Sequence, residues 1–196
     1  MGFDYIVLAC GAEKKGRLNI EGNVMNVIDF LYAFKNGGEL KLGRNVAVVG
    51  GGNTAMDAAR AAKRAEGVEK VTLVYRRNRR YMPADLEELE LAIEDGVEFM
   101  ELVSPVKQAN GKLVCNKMKL GDKDASGRRV PVETGETVEV DADTVIAAVG
   151  EKVDLDPVSY THLDVYKRQG WGRHWRCALK RGRFLCKVSY PPGFRR

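Results

Sequence analysis

Histidine is almost missing from this sequence of 196 residues: there are two, His162 and His174, and both lie beyond residue 157 with the two tryptophans. The cysteines are few and solitary. Neither Cys10 nor Cys115 has a partner at C-x-x-C spacing, so zinc, iron–sulfur and dithiol centres find no ligand pattern, and both thiols read as small buried hydrophobes. No apolar run approaches the roughly 18 residues that a membrane span requires. The opening Met1-Gly2-Phe3-Asp4 also lacks the basic segment of a signal peptide, so no membrane partner is expected and a reducing, cytoplasmic setting fits.

An excess of acid is absent too, since the formal charge is +5, but that charge is unevenly placed. Residues 158–196 hold ten Lys or Arg against one acid, Asp164, and so carry +9, which leaves −4 for residues 1–157. The body of the chain is mildly acidic. A nucleic-acid partner would depend wholly on the basic tail, where no period of 2 or 3.6 arranges the cations, and none is expected. Residues 157–169, Pro-Val-Ser-Tyr-Thr-His-Leu-Asp-Val-Tyr-Lys-Arg-Gln, back-translate to a string that, without its first base, is its own reverse complement. That is the form of two transposon mosaic ends joined head to head, so residues 157–196 read as a junction artefact, disordered and without function.

What is present centres on residues 46–60, Val-Ala-Val-Val-Gly-Gly-Gly-Asn-Thr-Ala-Met-Asp-Ala-Ala-Arg. Apolar residues run into three glycines and then into an alanine-rich helical segment, which reads as buried strand, tight turn and helix. The spacing Gly50-x-Gly52-x-x-Ala55, with Gly51 between, is that of a dinucleotide-binding turn. Gly50 permits the sharp exit from the strand, Gly52 lets the backbone approach a pyrophosphate, and Ala55 lets the helix pack close. Amides at the helix start face the phosphates, and the side chains of Asn53 and Thr54 are placed to add hydrogen bonds.

Residues 71–75, Val-Thr-Leu-Val-Tyr, form the second parallel strand, and the residues at its end select the dinucleotide. A carboxylate there would hold the ribose of NAD. The sequence has Arg76 and Arg77 instead, which suit the 2′-phosphate of NADP, with NAD the weaker alternative. Arg79 and Arg80 are read equally well as phosphate ligands or as a solvated basic loop.

Around this unit, residues 5–9 read as a strand, and Val27, Phe30, Leu31 and Phe34 mark one face of a helix. A helix after Pro83 has Leu86, Leu89 and Ile93 on its inner face, and residues 97–102 form a further strand. From Pro105 short alternating segments at 113–120, 129–133 and 137–140 predict an antiparallel β-meander, and residues 143–150 a last apolar strand. The fold class is α/β: a parallel Rossmann-type NAD(P)-binding domain with a β-meander and flanking strands of a second, split domain.

With these residues in view, the chain resembles the flavin-containing NADPH oxidoreductases of the glutamate synthase small-subunit type, and within them the selenate-reductase-type subunits. The resemblance rests on Gly50-Gly51-Gly52-Asn53-Thr54-Ala55-Met56-Asp57, Val74-Tyr75-Arg76-Arg77, Met82-Pro83-Ala84, and the paired segments 9–12 and 147–150, over residues 3–156. It implies an NADPH domain inserted into an FAD domain, with hydride passing to FAD and electrons onward to iron–sulfur clusters or a partner subunit. Carried over by position, Gly52, Asn53 and Thr54 hold the pyrophosphate, Arg76 and Arg77 the adenosine end, and Val149 and Gly150 line the nicotinamide side. Cys10 and Gly11 stand at the small-residue motif beside the flavin, where Thr or Ala is more usual than Cys. The implied domains are 1–40, an FAD-domain strand and connecting helix; 41–142, the NAD(P) domain; and 143–156, a return strand to the FAD domain. The family's FAD fingerprint and iron–sulfur cysteines lie upstream of this sequence, so the isolated chain is expected to bind dinucleotide weakly and to turn over nothing. A dinucleotide-sensing module without catalysis is the alternative.

Overall fold

The computed structural model describes residues 15–125 and 127–150, together with the backbone of 178–180 and 183–185. In chain order the elements are β1 (Val24–Asn26), α1 (Val27–Lys35), β2 (Asn45–Val49), α2 (Asn53–Lys63), β3 (Lys70–Tyr75), a 3₁₀ turn (Arg79–Tyr81) and α3 (Leu86–Glu94). Then follow β4 (Glu98–Glu101), β5 (Val103–Ala109), β6 (Lys112–Lys123), β7 (Arg129–Asp141) and β8 (Thr144–Ala147). Residues 15–150 form one unit, and residues 1–14 with 151–196 a second.

In the first unit, five parallel strands lie in the order β1-β8-β2-β3-β4, and β5-β6-β7 make an antiparallel sheet. The order dictates the layers. The steps from β1 to β2, β2 to β3 and β3 to β4 all run in one direction, so right-handed crossovers put α1, α2 and α3 on one face. The return from β4 to β8 runs the other way, and its connection, the antiparallel sheet, covers the opposite face. Alternate residues of β2 therefore meet different partners. Val46 and Val48 join Met56, Ala59, Leu73 and Phe30 in the helical layer, while Ala47 and Val49 join Leu113, Cys115 and Val140 of the meander. An apolar run without alternation is what a strand covered on both faces requires.

Small residues set how near α2 can come: Ala55, Ala58, Ala59 and Ala62 are fully or almost fully buried. At the opposite end of the sheet, Asp143 accepts from the Arg44 and Asn45 amides at 2.9 and 2.8 Å and ties β8 to the start of β2. Gln108 joins the two sheets, donating to Ala142 O at 3.0 Å and accepting from Asn23 N at 2.8 Å.

Several expectations differ from what is seen. The boundaries at 40/41 and 142/143 fall inside the first unit, because β1 pairs with β8 and β8 lies between β1 and β2. Residues 144–147 thus complete the parallel sheet. The meander begins earlier than Pro105, at Val103, after Leu102 turns the chain at φ 59°. Segments 129–133 and 137–140 are one strand, β7, which passes through Gly135 while its pairing with β6 shifts register. On α3 the buried residues are Leu89 and Ala92, which join Ala59 and Leu73 in the helical layer, and Leu86 and Ile93 are exposed. Phe34 of α1 is also exposed.

The expected strand at 5–9, with Cys10 and Gly11, lies outside the described residues. So does most of the segment from 157 onward, but two short strands within it, β9 (Ala178–Lys180) and β10 (Arg183–Leu185), pair antiparallel, where no order was expected.

Candidate functional site

The site is built at the carboxyl end of β2, between β8 and β3. Two of the three glycines there are fixed by close neighbours. A Cβ on Gly50 would overlap the Ala148 carbonyl oxygen, and one on Gly51 would overlap the ring of Tyr75. Gly52 is different, for a Cβ there would meet nothing within 4 Å. The space beside Gly52 is open.

Gly52 is the N-cap of α2, with extended backbone and no side chain to cap the helix. Its carbonyl accepts from Ala55 N at 2.9 Å, and the amides of Asn53 and Thr54 donate to no acceptor among the described residues. Free N–H groups at the positive end of an 11-residue helix, with an open approach, make a receptor for anionic oxygens.

The expectation for the Asn53 side chain needs correction. Its Nδ2 donates to Asp85 Oδ2 at 3.1 Å, and its Oδ1 accepts from Asp85 N at 3.0 Å. The Ala84 amide donates to the Gly51 carbonyl at 3.0 Å. Asn53 therefore holds the Met82-Pro83-Ala84-Asp85 loop against the glycine turn, and only its backbone N–H is left without an acceptor among the described residues. Thr54 is half-buried.

The basic cluster after β3 divides by role. Arg77 is buried, donates from Nε to Arg129 O at 2.9 Å and lies 3.8 Å from Asp124 Oδ2, so it fastens β3 to the meander. This corrects its assignment to the adenosine end. Arg79 bonds Glu90 at 2.6 Å, and its amide donates to Glu101 Oε2 at 2.7 Å. Arg76 and Arg80 are exposed and have no hydrogen bond or ion pair among the described residues. The pair with free guanidiniums is thus Arg76 and Arg80, and strand alternation, which sends Arg76 and Arg77 to opposite sides, was the available signal.

At the end of β8, the Ala148 amide donates to Val49 O at 2.8 Å, and half-buried Val149 packs on the meander side of the core. Exposed Gly150 follows in the left-handed region at φ 63°. Val149 and Gly150 thus stand at the same sheet end as the glycine turn; Cys10 and Gly11 lie outside the described residues.

Displaced titrations occur away from this turn. Burial pushes the Cys115 thiol up to about 11, so it stays protonated at neutral pH, as a core hydrophobe does. A hydrogen bond from Arg60 holds the Asp95 carboxyl below its usual range, at a brace between α2 and α3. Among the described residues no cluster of three His, Cys, Asp or Glu could hold a metal ion, and no helix is long and apolar enough to cross a membrane. What the site offers is binding groups: backbone amides, an open glycine and two unpaired cations.

Residues 1–171 match the family described as pyridine nucleotide-disulphide oxidoreductase, a span that overlaps residues 157–169, beyond the point where the motif resemblance ends. The Escherichia coli K12 protein YgfK is 46% identical over 174 residues, 87% of this chain and 17% of that protein. The NADPH-Fe(3+) oxidoreductase subunit beta of Geobacter sulfurreducens is 42% identical over 168 residues, 78% of this chain and 25% of that one. The glutamate synthase [NADPH] small chain of Azospirillum brasilense is 36% identical over 155 residues, 76% of this chain and 32% of that one. This chain spans at most about a third of these relatives. Among solved structures, FprA of Mycobacterium tuberculosis in complex with NADPH matches with a TM-score of 0.61 at 21% identity, covering 76% of this chain and 50% of that one, which shows a shared fold.

Proposed function

Since the chain belongs to the pyridine nucleotide-disulphide oxidoreductase family, we propose that residues 15–150 form the NADPH-binding part of a flavin-dependent oxidoreductase, with NAD as a weaker ligand. The observation that carries this reading is the uncapped start of α2 with open space at Gly52, beside a strand end whose Arg76 and Arg80 are unpaired. A diphosphate fits the first feature and an additional phosphate monoester the second.

In this reading the chain's residues bind and orient. The amides of Asn53 and Thr54 hold the pyrophosphate, while Asn53 Oδ1 and Asp85 keep the adjoining loop in place. Arg76 and Arg80 take the 2′-phosphate, and Val149 and Gly150 line the nicotinamide side. A bound nicotinamide supplies a hydride, and FAD in the whole protein is its acceptor. No side chain of the turn is asked for acid–base work. We further assign Cys10 and Gly11 to the flavin side, electrons to iron–sulfur centres or a partner subunit, and the whole to the selenate-reductase-type branch; the sequence motifs alone support those finer points. A cytoplasmic setting, and an FAD-domain origin for the segments that flank residues 15–150, belong to the same reading.

The test uses the full-length protein that carries this chain, loaded with FAD and kept anaerobic. Adding NADPH is expected to abolish the flavin's visible absorbance. Flavin that binds yet stays oxidised with NADPH would reject the enzyme in favour of a dinucleotide sensor.

A further inference from the structure

We infer that Tyr75 fixes the separation between the diphosphate and 2′-phosphate positions and is thereby a specificity-determining positioning residue, an inference that rests on the reading of the site just given. Tyr75 is the last residue of β3 and is buried. Its ring occupies the volume in which a Gly51 side chain would sit, so one end of the tyrosine is packed against the glycine turn. Its hydroxyl donates to the Tyr81 carbonyl at 2.8 Å, so the other end holds the 3₁₀ turn that carries Arg80.

That turn is held at its beginning as well. Glu101 accepts from the Arg79 amide and Glu90 from the Arg79 guanidinium, and at its far end, where Met82 packs on the core, the Tyr75 hydroxyl supplies the hydrogen bond to β3. Beyond Tyr81 the chain returns to the glycine turn through Ala84 N and the Asn53–Asp85 pair. Gly51, Tyr75, Tyr81 and Ala84 therefore close a ring of contacts. The glycine turn and the arginine-bearing turn are two sides of it.

A ligand gripped only through its diphosphate uses one side of this ring. A ligand carrying the 2′-phosphate uses both, and its affinity depends on their spacing being set before it arrives. Loss of the hydroxyl bond loosens the far end of the arginine turn without touching the ring packing at Gly51. Its effect should fall on the phosphorylated dinucleotide.

The experiment is calorimetric titration of the full chain and of its Tyr75→Phe variant with NADP⁺, NAD⁺, 2′,5′-ADP and 5′-AMP. For the variant, NADP⁺ and 2′,5′-ADP are expected to bind roughly three- to tenfold more weakly, the worth of one net hydrogen bond, with NAD⁺ and 5′-AMP within about twofold of the native chain. A purely structural role would weaken all four ligands alike. Equal loss for all four, or a native preference for NADP⁺ that Tyr75→Phe leaves intact, overturns the inference alone. A native chain that binds NAD⁺ as tightly as NADP⁺ overturns the site reading and the inference together.

Discussion

Replacing Gly52 by alanine is expected to leave the melting temperature of the chain unchanged and to weaken NADP⁺ and NAD⁺ together, on the order of tenfold or more, by placing a methyl group where the pyrophosphate must approach. The separation of the two effects follows from the neighbourhood. A Cβ at Gly52 meets nothing in the chain within 4 Å, and the backbone there is already extended, at φ −98° and ψ 172°, so an L-residue fits without strain. The adjacent position behaves in the opposite way. Alanine at Gly51 would drive its methyl into the buried ring of Tyr75, an overpacking that costs about 1–3 kcal/mol and lowers the melting temperature. Thermal melts and calorimetric titrations of both variants check the contrast. A Gly52→Ala chain that melts early, or that binds both dinucleotides normally, would show that the space beside Gly52 is not reserved for a ligand.

The second large effect belongs to the arginines. Arg76→Ala combined with Arg80→Ala is expected to reduce NADP⁺ affinity by a factor on the order of a hundred or more, since hydrogen bonds to charged groups are each worth about 1.5–3 kcal/mol, while NAD⁺ affinity changes little. Arg77→Ala should act elsewhere. Its guanidinium is buried against Arg129 O, so truncation strands that carbonyl and cuts stability by about 1–3 kcal/mol without altering the ratio of NADP⁺ to NAD⁺ affinity. Titrations with both dinucleotides, read beside a denaturant melt, separate the roles. A ratio governed by Arg77 and indifferent to Arg76 and Arg80 would reverse the assignment.

Where sequence reading succeeded, the cause was local. Val46-Ala47-Val48-Val49 could be recognised as a strand covered on both sides because burial of both faces removes alternation, and α2 because small residues follow a turn of glycines. The span of α1, Val27–Lys35, was visible in its apolar spacing and in the glycines after it. Where the reading fell short, the deciding contacts join distant residues. Val24–Asn26 is too short to show a period, and becomes a strand only because β8, more than a hundred residues later, lies beside it. Leu86 and Ile93 repeat at helical spacing, yet α3 buries Leu89 and Ala92, since α2 and not the spacing decides which side is covered. Asn53 looked free to meet phosphate because nothing nearby in sequence engages it; its partner, Asp85, comes from the loop before α3.

Arg77 is a different kind of miss. Consecutive residues leaving a strand point to opposite sides, so two adjacent arginines were poor candidates for one phosphate, and that argument was open from the sequence alone. The meander strand that receives Arg77 was harder to place. Its carbonyl partner, at Arg129, opens β7, a strand broken in the sequence by Gly135 but continuous in the fold.

The central claim is that anionic oxygens of a dinucleotide sit on the free amides at the start of α2. The most direct measurement is a titration of the ¹⁵N-labelled chain with NADP⁺, following the amide resonances of Gly51, Gly52, Asn53 and Thr54. The account predicts that these four shift together, saturably, and more than the amides at the opposite end of the sheet around Asp143. Saturable shifts confined to other residues, with these four unmoved, would contradict it.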